Sequence, residues 1–221
     1  MDEDKRRLMG DIRAALGRGP IDLEQARRAR AQMWAGQSPA RPRWEETAEE
    51  RFVVQLEKAS GSVVRVSEAE RAPQAIQEYM ARHGLAEHAC LADHPGLARL
   101  DWPFPVTTFA TATSAQADLG VVVAAAAVAE TGSLVMLSGA RSPVSLNFLP
   151  ERLVAVLYRE RIVPDMEALW ERLRDEDSYP PRVVNLITGP SRTADVEQRL
   201  QIGAHGPRAL HVILVNNGGG Q

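Results

Sequence analysis

Apolar positions recur at helical spacing in the first sixty residues and gather into short continuous runs beyond them. Leu8, Ile12, Ala15 and Leu16 mark one face of a first helix, which Gly17 and Gly19-Pro20 break. Asp22 with Gln25 has the form of a capping box and opens a second helix that runs through Met33-Trp34 to Gly36. Residues 37–43 are Pro-rich and read as a linker. Phe52, Val53, Leu56 and Ala59 mark a third helix, with Gly61 where a C-terminal glycine cap belongs.

From Ser62 the period changes. Val63 to Val66 is a β-branched run, and Ser67 with Glu70 has the form of a capping box opening a helix over 69–83. Further strands are expected at 88–92, 119–123, 134–137, 153–158, 183–187 and 210–215, with helices at 165–174 and 193–202. Strands that alternate with helices need crossover connections, and runs without polar alternation suit a sheet covered on both faces. The expected fold is α/β, a mainly parallel sheet with helices on both faces, preceded by a helical arm. The domain reading is an arm at 1–61, an α/β domain at 62–215 and a polar, glycine-rich tail at 216–221.

Composition narrows the classes. The chain has 221 residues, 44% hydrophobic and 25% charged, which excludes disorder throughout. The net charge of −3 gives no basic excess for nucleic acid or anionic membrane. The charged N-terminus is not expected to act as a secretory signal. The longest apolar run, from Leu119 to Ala129, falls short of the ~20 residues that span a bilayer, so a cytoplasmic protein is expected. Cys90 is the single cysteine, and one thiol can form neither an internal disulfide nor a four-thiolate iron–sulfur site. Cys90 itself reads as core packing.

In open parallel sheets ligands bind beyond the carboxyl ends of strands, so loops that follow strands are the places for chemistry. The segment Glu130-Thr131-Gly132-Ser133 sets a carboxylate beside an apolar stretch and a glycine turn. Glu130 is a candidate general acid, base or nucleophile, or else a surface turn residue. Gly189, Ser191, Arg192, Thr193 and Asp195 follow a strand and open the expected helix at 193–202. Free amides at a helix start, two hydroxyls and the Arg192 fork suit an anion, or Ser191 or Thr193 simply caps the helix. His205 and Gly206 sit in a tight turn before the last strand, where His205 either contacts a ligand or packs within the turn. Arg141 is a candidate anion partner or a solvated loop arginine. His83, His88 and His94 are scattered and His211 lies inside a strand, so no metal site is expected. No G-x-G-x-x-G, Walker or G-x-S-x-G motif is present.

Taken in order, several segments resemble one family. They are Ala117 to Gly120, Ala129 to Val135, Ser145-Leu146 with Leu149-Pro150, Arg161 to Val163, Ile187 to Glu197, Gly203 to Arg208 and Leu210 to Val215. This pattern resembles the LUD (lactate-utilisation) domain family, and within it the lactate utilisation protein C group. The resemblance implies a fold similar to the ribose-5-phosphate isomerase, glucosamine-phosphate deaminase and CoA-transferase group. It also implies a role in oxidising L-lactate to pyruvate beside iron–sulfur partner proteins, with a small anionic ligand and a cofactor that the sequence leaves unknown. The alternatives are a non-catalytic ligand-sensing or assembly module that docks through its arm, or an acyl- or phosphate-ligand enzyme of the same fold group. The chain departs from the family at 138–143, at Asn147-Phe148, which interrupts the usual leucine run, and at the alanines after Val123. These departures point to an altered pocket wall.

Overall fold

The computed structural model describes residues 3–17, 43–108, 118–139, 144–175, 181–196, 199–202 and 206–216, with positions 19, 22, 24–25, 28–29 and 41; at 5–6, 192–196 and 199–202 the backbone alone is described. The chain forms two compact units, residues 1–42 and 43–221.

The first unit carries helix α1 (Glu3–Ala15), with Glu3 and Asp4 in its first turn and Arg13 in its last, each favourable to the helix dipole. Its apolar positions Leu8, Met9 and Ile12 are exposed, as is Leu16 beyond its end. Asp22 Oδ1 accepts from the amides of Glu24 and Gln25 at 2.9 and 3.2 Å, as a cap does. Most of the expected helix beyond it lies outside the described residues.

The second unit opens with helix α2 (Ala48–Lys58), whose Thr47 and Glu50 form a reciprocal capping box. Phe52 and Leu56 are wholly buried, at 0% exposure. The helix ends in a Schellman arrangement: Ser60 donates to Glu57 O at 2.8 Å and Gly61 to Leu56 O at 2.9 Å. The left-handed residue is Ser60, at φ 69°, and not Gly61. Gly61 is needed for a different reason, because a Cβ there would lie 2.7 Å from Leu56 Cγ.

Strand β1 (Ser62–Val66) follows. The expected capping box at Ser67 and Glu70 does not form; a 3₁₀ turn over Ala69–Arg71 precedes helix α3 (Ala72–Arg82), with Pro73 in its first turn. A helix begun at Ala69 would need an amide at position 73 to bond its carbonyl, and proline has none.

The parallel sheet has the order β1-β12-β7-β4-β2-β3, with β2 (Ala89–Leu91), β3 (Val106–Thr108), β4 (Leu119–Val123), β7 (Arg152–Tyr158) and β12 (Ala209–Val215). A four-residue helix α4 (Pro95–Ala98) lies between β2 and β3. All its strand pairs are parallel, and the central β7 and β12 are buried almost end to end, as a sheet covered on both faces requires. Cys90 is buried and free in β2.

Not all the strands belong to that sheet. β5 (Ala126–Val128), β6 (Ser133–Leu137), β8 (Ile162–Val163) and β9 (Val184–Ile187) form a second sheet in the order β8-β5-β6-β9, with antiparallel β5–β6 and β6–β9 pairs. The two sheets share a seam. Ala124 donates to Val156 O at 2.9 Å, and the parallel β4–β7 pair continues as the parallel β5–β8 pair. Helix α5 (Met166–Asp175) buries Leu169 and Leu173 against Ala126, Val128, Val135 and Val163 of the second sheet.

The helix expected at 193–202 is absent. β10 (Arg192–Val196) and β11 (Arg199–Ile202) form an antiparallel hairpin there, paired Arg192 to Ile202 and Thr193 to Gln201. Residues 199–202 alternate polar and apolar, the period of a strand.

Two glycines seat α2 against the second sheet's loops. A Cβ on Gly132, at φ 69°, would overlap the backbone nitrogen of Leu56. A Cβ on Gly189, at φ 144°, would lie 2.5 Å from the carbonyl oxygen of Ala59. Gly132→Ala combines a left-handed backbone with a backbone overlap, so it is expected to cost roughly 2 kcal/mol or more in urea unfolding. A loss below about 0.5 kcal/mol, the range of neutral surface changes, contradicts the seat.

The strand histidine is a buried neutral group. His211 is 4% exposed, its Nδ1 lies 2.8 Å from Ser62 Oγ, and its ring stacks on Tyr79 with centroids 4.3 Å apart. Burial, then the charges of Arg82 and His83, push its pKa down to about 4 from 6.5. The unfolded chain therefore takes up a proton below pH 6.5 that the folded one refuses. Stability from this group is intact above pH 6.5 and is lost as pH falls toward 4, by on the order of 3 kcal/mol in all. Unfolding measured at pH 7 and pH 4 for the wild type and His211→Gln tests this. The stability gap between them narrows at low pH if the account holds, and stays constant if it does not.

Candidate functional site

The site is built on the two loops that α2 holds. The antiparallel register sets Leu134 opposite Ile187, which places Ser133 beside Thr188 at the end of the β6–β9 pair. Ser133 Oγ lies 2.7 Å from Thr188 Oγ1 and 2.7 Å from Thr131 Oγ1. Ser133 is buried, while Thr131 and Thr188 are exposed. Three hydroxyls carry three protons, and two hydrogen bonds use two of them. One O–H is left over, and when both bonds run in the same direction along the chain it lies on an exposed threonine and can donate outward. A chain of this kind polarises along its length, so a ligand that accepts at one end orients all three groups.

Glu130 adjoins this chain. It is half-buried, and its amide donates to Pro164 O at 3.0 Å. Its carboxylate has no hydrogen bond or ion pair among the described residues. Thr188, which opens the candidate segment 188–195 but is not among its candidate ligand residues, joins the two loops. No local signal marks it, because its partner lies across the β6–β9 register.

Ser191 belongs to a neighbouring cluster. Its amide donates to Pro207 O at 2.8 Å, and Arg208 donates its amide to Glu151 O at 2.7 Å. Gly206 lies beside Ser191 and Phe148. Residues 206–208 lead into β12 and Glu151 leads into β7, so this cluster sits at the amino edge of the parallel sheet. The Ser191 loop, which follows a strand, is thereby tied to the turn expected before the last strand. The helix-start argument for an anion at Ser191 to Asp195 falls, since Arg192, Thr193 and Asp195 lie on β10. The side chains of these three, and the whole of Arg141 and His205, lie outside the described residues. Thus the structure joins Thr131, Ser133 and Thr188 directly, sets Gly132 and Gly189 against one helix, and places Ser191 with Gly206.

Among the described residues no group of three or more His, Cys, Asp or Glu side chains is placed to hold a metal ion, and no helix is long and apolar enough to cross a membrane.

Similarity to known proteins agrees with this architecture. "Lactate utilization protein C" of Halalkalibacterium halodurans is 35% identical over 103 residues, which are 45% of this chain and 45% of that protein. The protein of the same name from Geobacillus kaustophilus is 30% identical over 134 residues, 55% of this chain and 56% of that one. An uncharacterized Escherichia coli protein, YkgG, is 37% identical over 103 residues, 45% of each chain. The chain thus spans about half the length of the curated relatives it matches. A crystal structure of a DUF162 family protein from Deinococcus radiodurans superposes with a TM-score of 0.57 at 21% identity, covering 79% of this chain and 99% of that one, which shows a shared fold. The model of the LUD domain matches residues 49–215, most of the chain and nearly the whole of the second compact unit. The chain belongs to the LUD domain family.

Proposed function

We propose that this chain is a cytoplasmic component of an L-lactate utilisation system and supports oxidation of L-lactate to pyruvate together with iron–sulfur partner proteins. The observation that carries the reading is membership of the LUD family together with relatives named for lactate utilisation. The chemistry is consistent with a shared task. Oxidation of a 2-hydroxy acid to a 2-oxo acid releases two electrons and two protons. One buried thiol, Cys90, cannot supply the four thiolates of a cluster, so the electrons leave through a partner or a bound cofactor. The Thr131–Ser133–Thr188 chain, with Glu130 beside it, offers hydrogen-bond donors and a carboxylate to a small ligand such as a hydroxy acid.

A second reading makes the chain a non-catalytic assembly module of the same system. The exposed apolar positions of α1, Leu8, Met9 and Ile12, favour it, because such a stripe suits a partner surface. Turnover of L-lactate by the purified chain with an artificial electron acceptor would exclude a purely assembling role.

The test is growth on L-lactate as sole carbon source. Deletion of the gene is expected to abolish growth, the wild-type gene to restore it, and Ser133→Ala or Arg192→Ala to restore it only partly. Ser133→Ala breaks both hydroxyl contacts at once and removes the buried link between the loops. Normal growth of the deletion strain on lactate contradicts the proposal.

A further inference from the structure

The hydroxyl chain of Thr131, Ser133 and Thr188 has a direction, and the direction limits what it can bind. Both links are 2.7 Å, the length of a well-made O–H···O bond. None of the three hydroxyls makes another hydrogen bond among the described residues. Ser133 is 3% exposed, while both threonines reach solvent. Each hydroxyl has one proton to give and two lone pairs to accept with.

Three proton arrangements keep both links. In two of them the bonds run head to tail, from Thr131 through Ser133 to Thr188 or the reverse. In the third, both threonines donate to Ser133, whose own proton is then buried without an acceptor. A buried donor left unpaired carries its full desolvation cost, so the two head-to-tail states are favoured. In either of them one threonine has given its proton to the chain and can only accept from outside. The other keeps its proton and donates outward. The two ends are therefore unlike at any moment, although both are threonine. They lie no further apart than two such links, within reach of neighbouring groups on one small molecule.

A ligand that matches unlike ends carries a donor beside an acceptor. A 2-hydroxy acid does so: its hydroxyl donates to the accepting threonine, and a carboxylate oxygen takes the proton of the other. A 2-oxo acid does not, because its keto oxygen and its carboxylate only accept. To bond both, each threonine must turn its proton outward. Ser133 can then donate to one of them alone, and one buried link is lost. The two acids carry the same charge, so Glu130 acts on both in the same sense.

We propose that Ser133 makes this site selective for a 2-hydroxy acid over the corresponding 2-oxo acid, by coupling Thr131 and Thr188 so that one donates while the other accepts. The inference rests on the reading that the site takes a hydroxy acid, and adds the device that tells substrate from product. Thr131 and Thr188 touch the ligand, and Ser133 is a positioning residue that acts through them.

NMR titration of the isotope-labelled full chain with L-lactate and with pyruvate, read at the amides of Thr131, Ser133 and Thr188, tests this. The wild type is expected to bind L-lactate about tenfold more tightly than pyruvate, the worth of one hydrogen bond. In Ser133→Ala the threonines orient independently, and the gap is expected to close. Thr188→Ser keeps the hydroxyl and the gap, whereas Thr188→Val removes one end and closes it. A purely structural clasp would weaken both acids in proportion and leave their ratio unchanged. Equal binding of the two acids by the wild type overturns the inference. So does a ratio that survives in folded Ser133→Ala and Thr188→Val, or the absence of L-lactate binding at these amides. L-lactate bound without preference sinks the selectivity and leaves the lactate-utilisation reading standing, while normal growth of the deletion strain counts against that reading whatever the binding ratio.

Discussion

The C-terminal half of α2 lies so close to two loops of the second sheet that neither loop can carry a Cβ at its point of contact. Gly132 faces the backbone of Gln55 and Leu56, and Gly189 faces the carbonyl of Ala59. Everything proposed for the site depends on this seat. It brings the β5–β6 turn and the segment after β9 to one helix. The β6–β9 register then sets Ser133 against Thr188. The helix is in turn anchored by the burial of Phe52 and Leu56 and by its own closed ends, a capping box at Thr47 and a Schellman turn at Ser60. Its N-terminal turn is held as well: Glu49 accepts from Arg65 of β1 at 2.8 Å and forms an ion pair with Arg159 beyond β7 at 2.9 Å.

The second consequence is a division of labour between two sheets. The parallel sheet supplies most of the core, with β7 and β12 at its centre. The smaller sheet shares a seam with it, because β4 runs through Ala124-Ala125 into β5 while its partner β7 runs on to β8. The candidate chemistry lies on loops of the smaller sheet, and only the Ser191 cluster returns to the parallel sheet, at its amino edge. A rule derived for open parallel sheets thus selects loops whose place in the fold it does not give. The loops follow strands, but strands of a different sheet.

What the sequence reveals follows from how local each signal is. Runs such as Leu119–Val123 and Ala209–Val215 are legible because a doubly covered strand is apolar throughout. Met166–Asp175 is legible because Leu169 and Leu173 fall on one helical face. Ala126–Val128 is not, since alanines carry no strand signal and the strand exists by virtue of its neighbours. At 192–202, where a helix is expected, the chain takes a hairpin that the alternation at 199–202 suits. In the site, Thr131 and Ser133 stand out as hydroxyls flanking Gly132, and Ser191 as a hydroxyl two residues after Gly189. Their pairing with Thr188 and Pro207 is set by tertiary register, as is the pairing of His211 with Ser62. None of these partners is near in sequence.

The central claim is that α2 couples the two loops, and native-state hydrogen exchange tests it directly. The Gly132 amide bonds Val128 O at 2.9 Å, and its protection reports the β5–β6 turn. In Gly189→Ala, which disturbs only the other loop's seat, the account predicts faster exchange at the Gly132 amide and along the last turn of α2. Protection at Gly132 equal to that of the wild type, with Gly189→Ala folded and its own loop loosened, would contradict it.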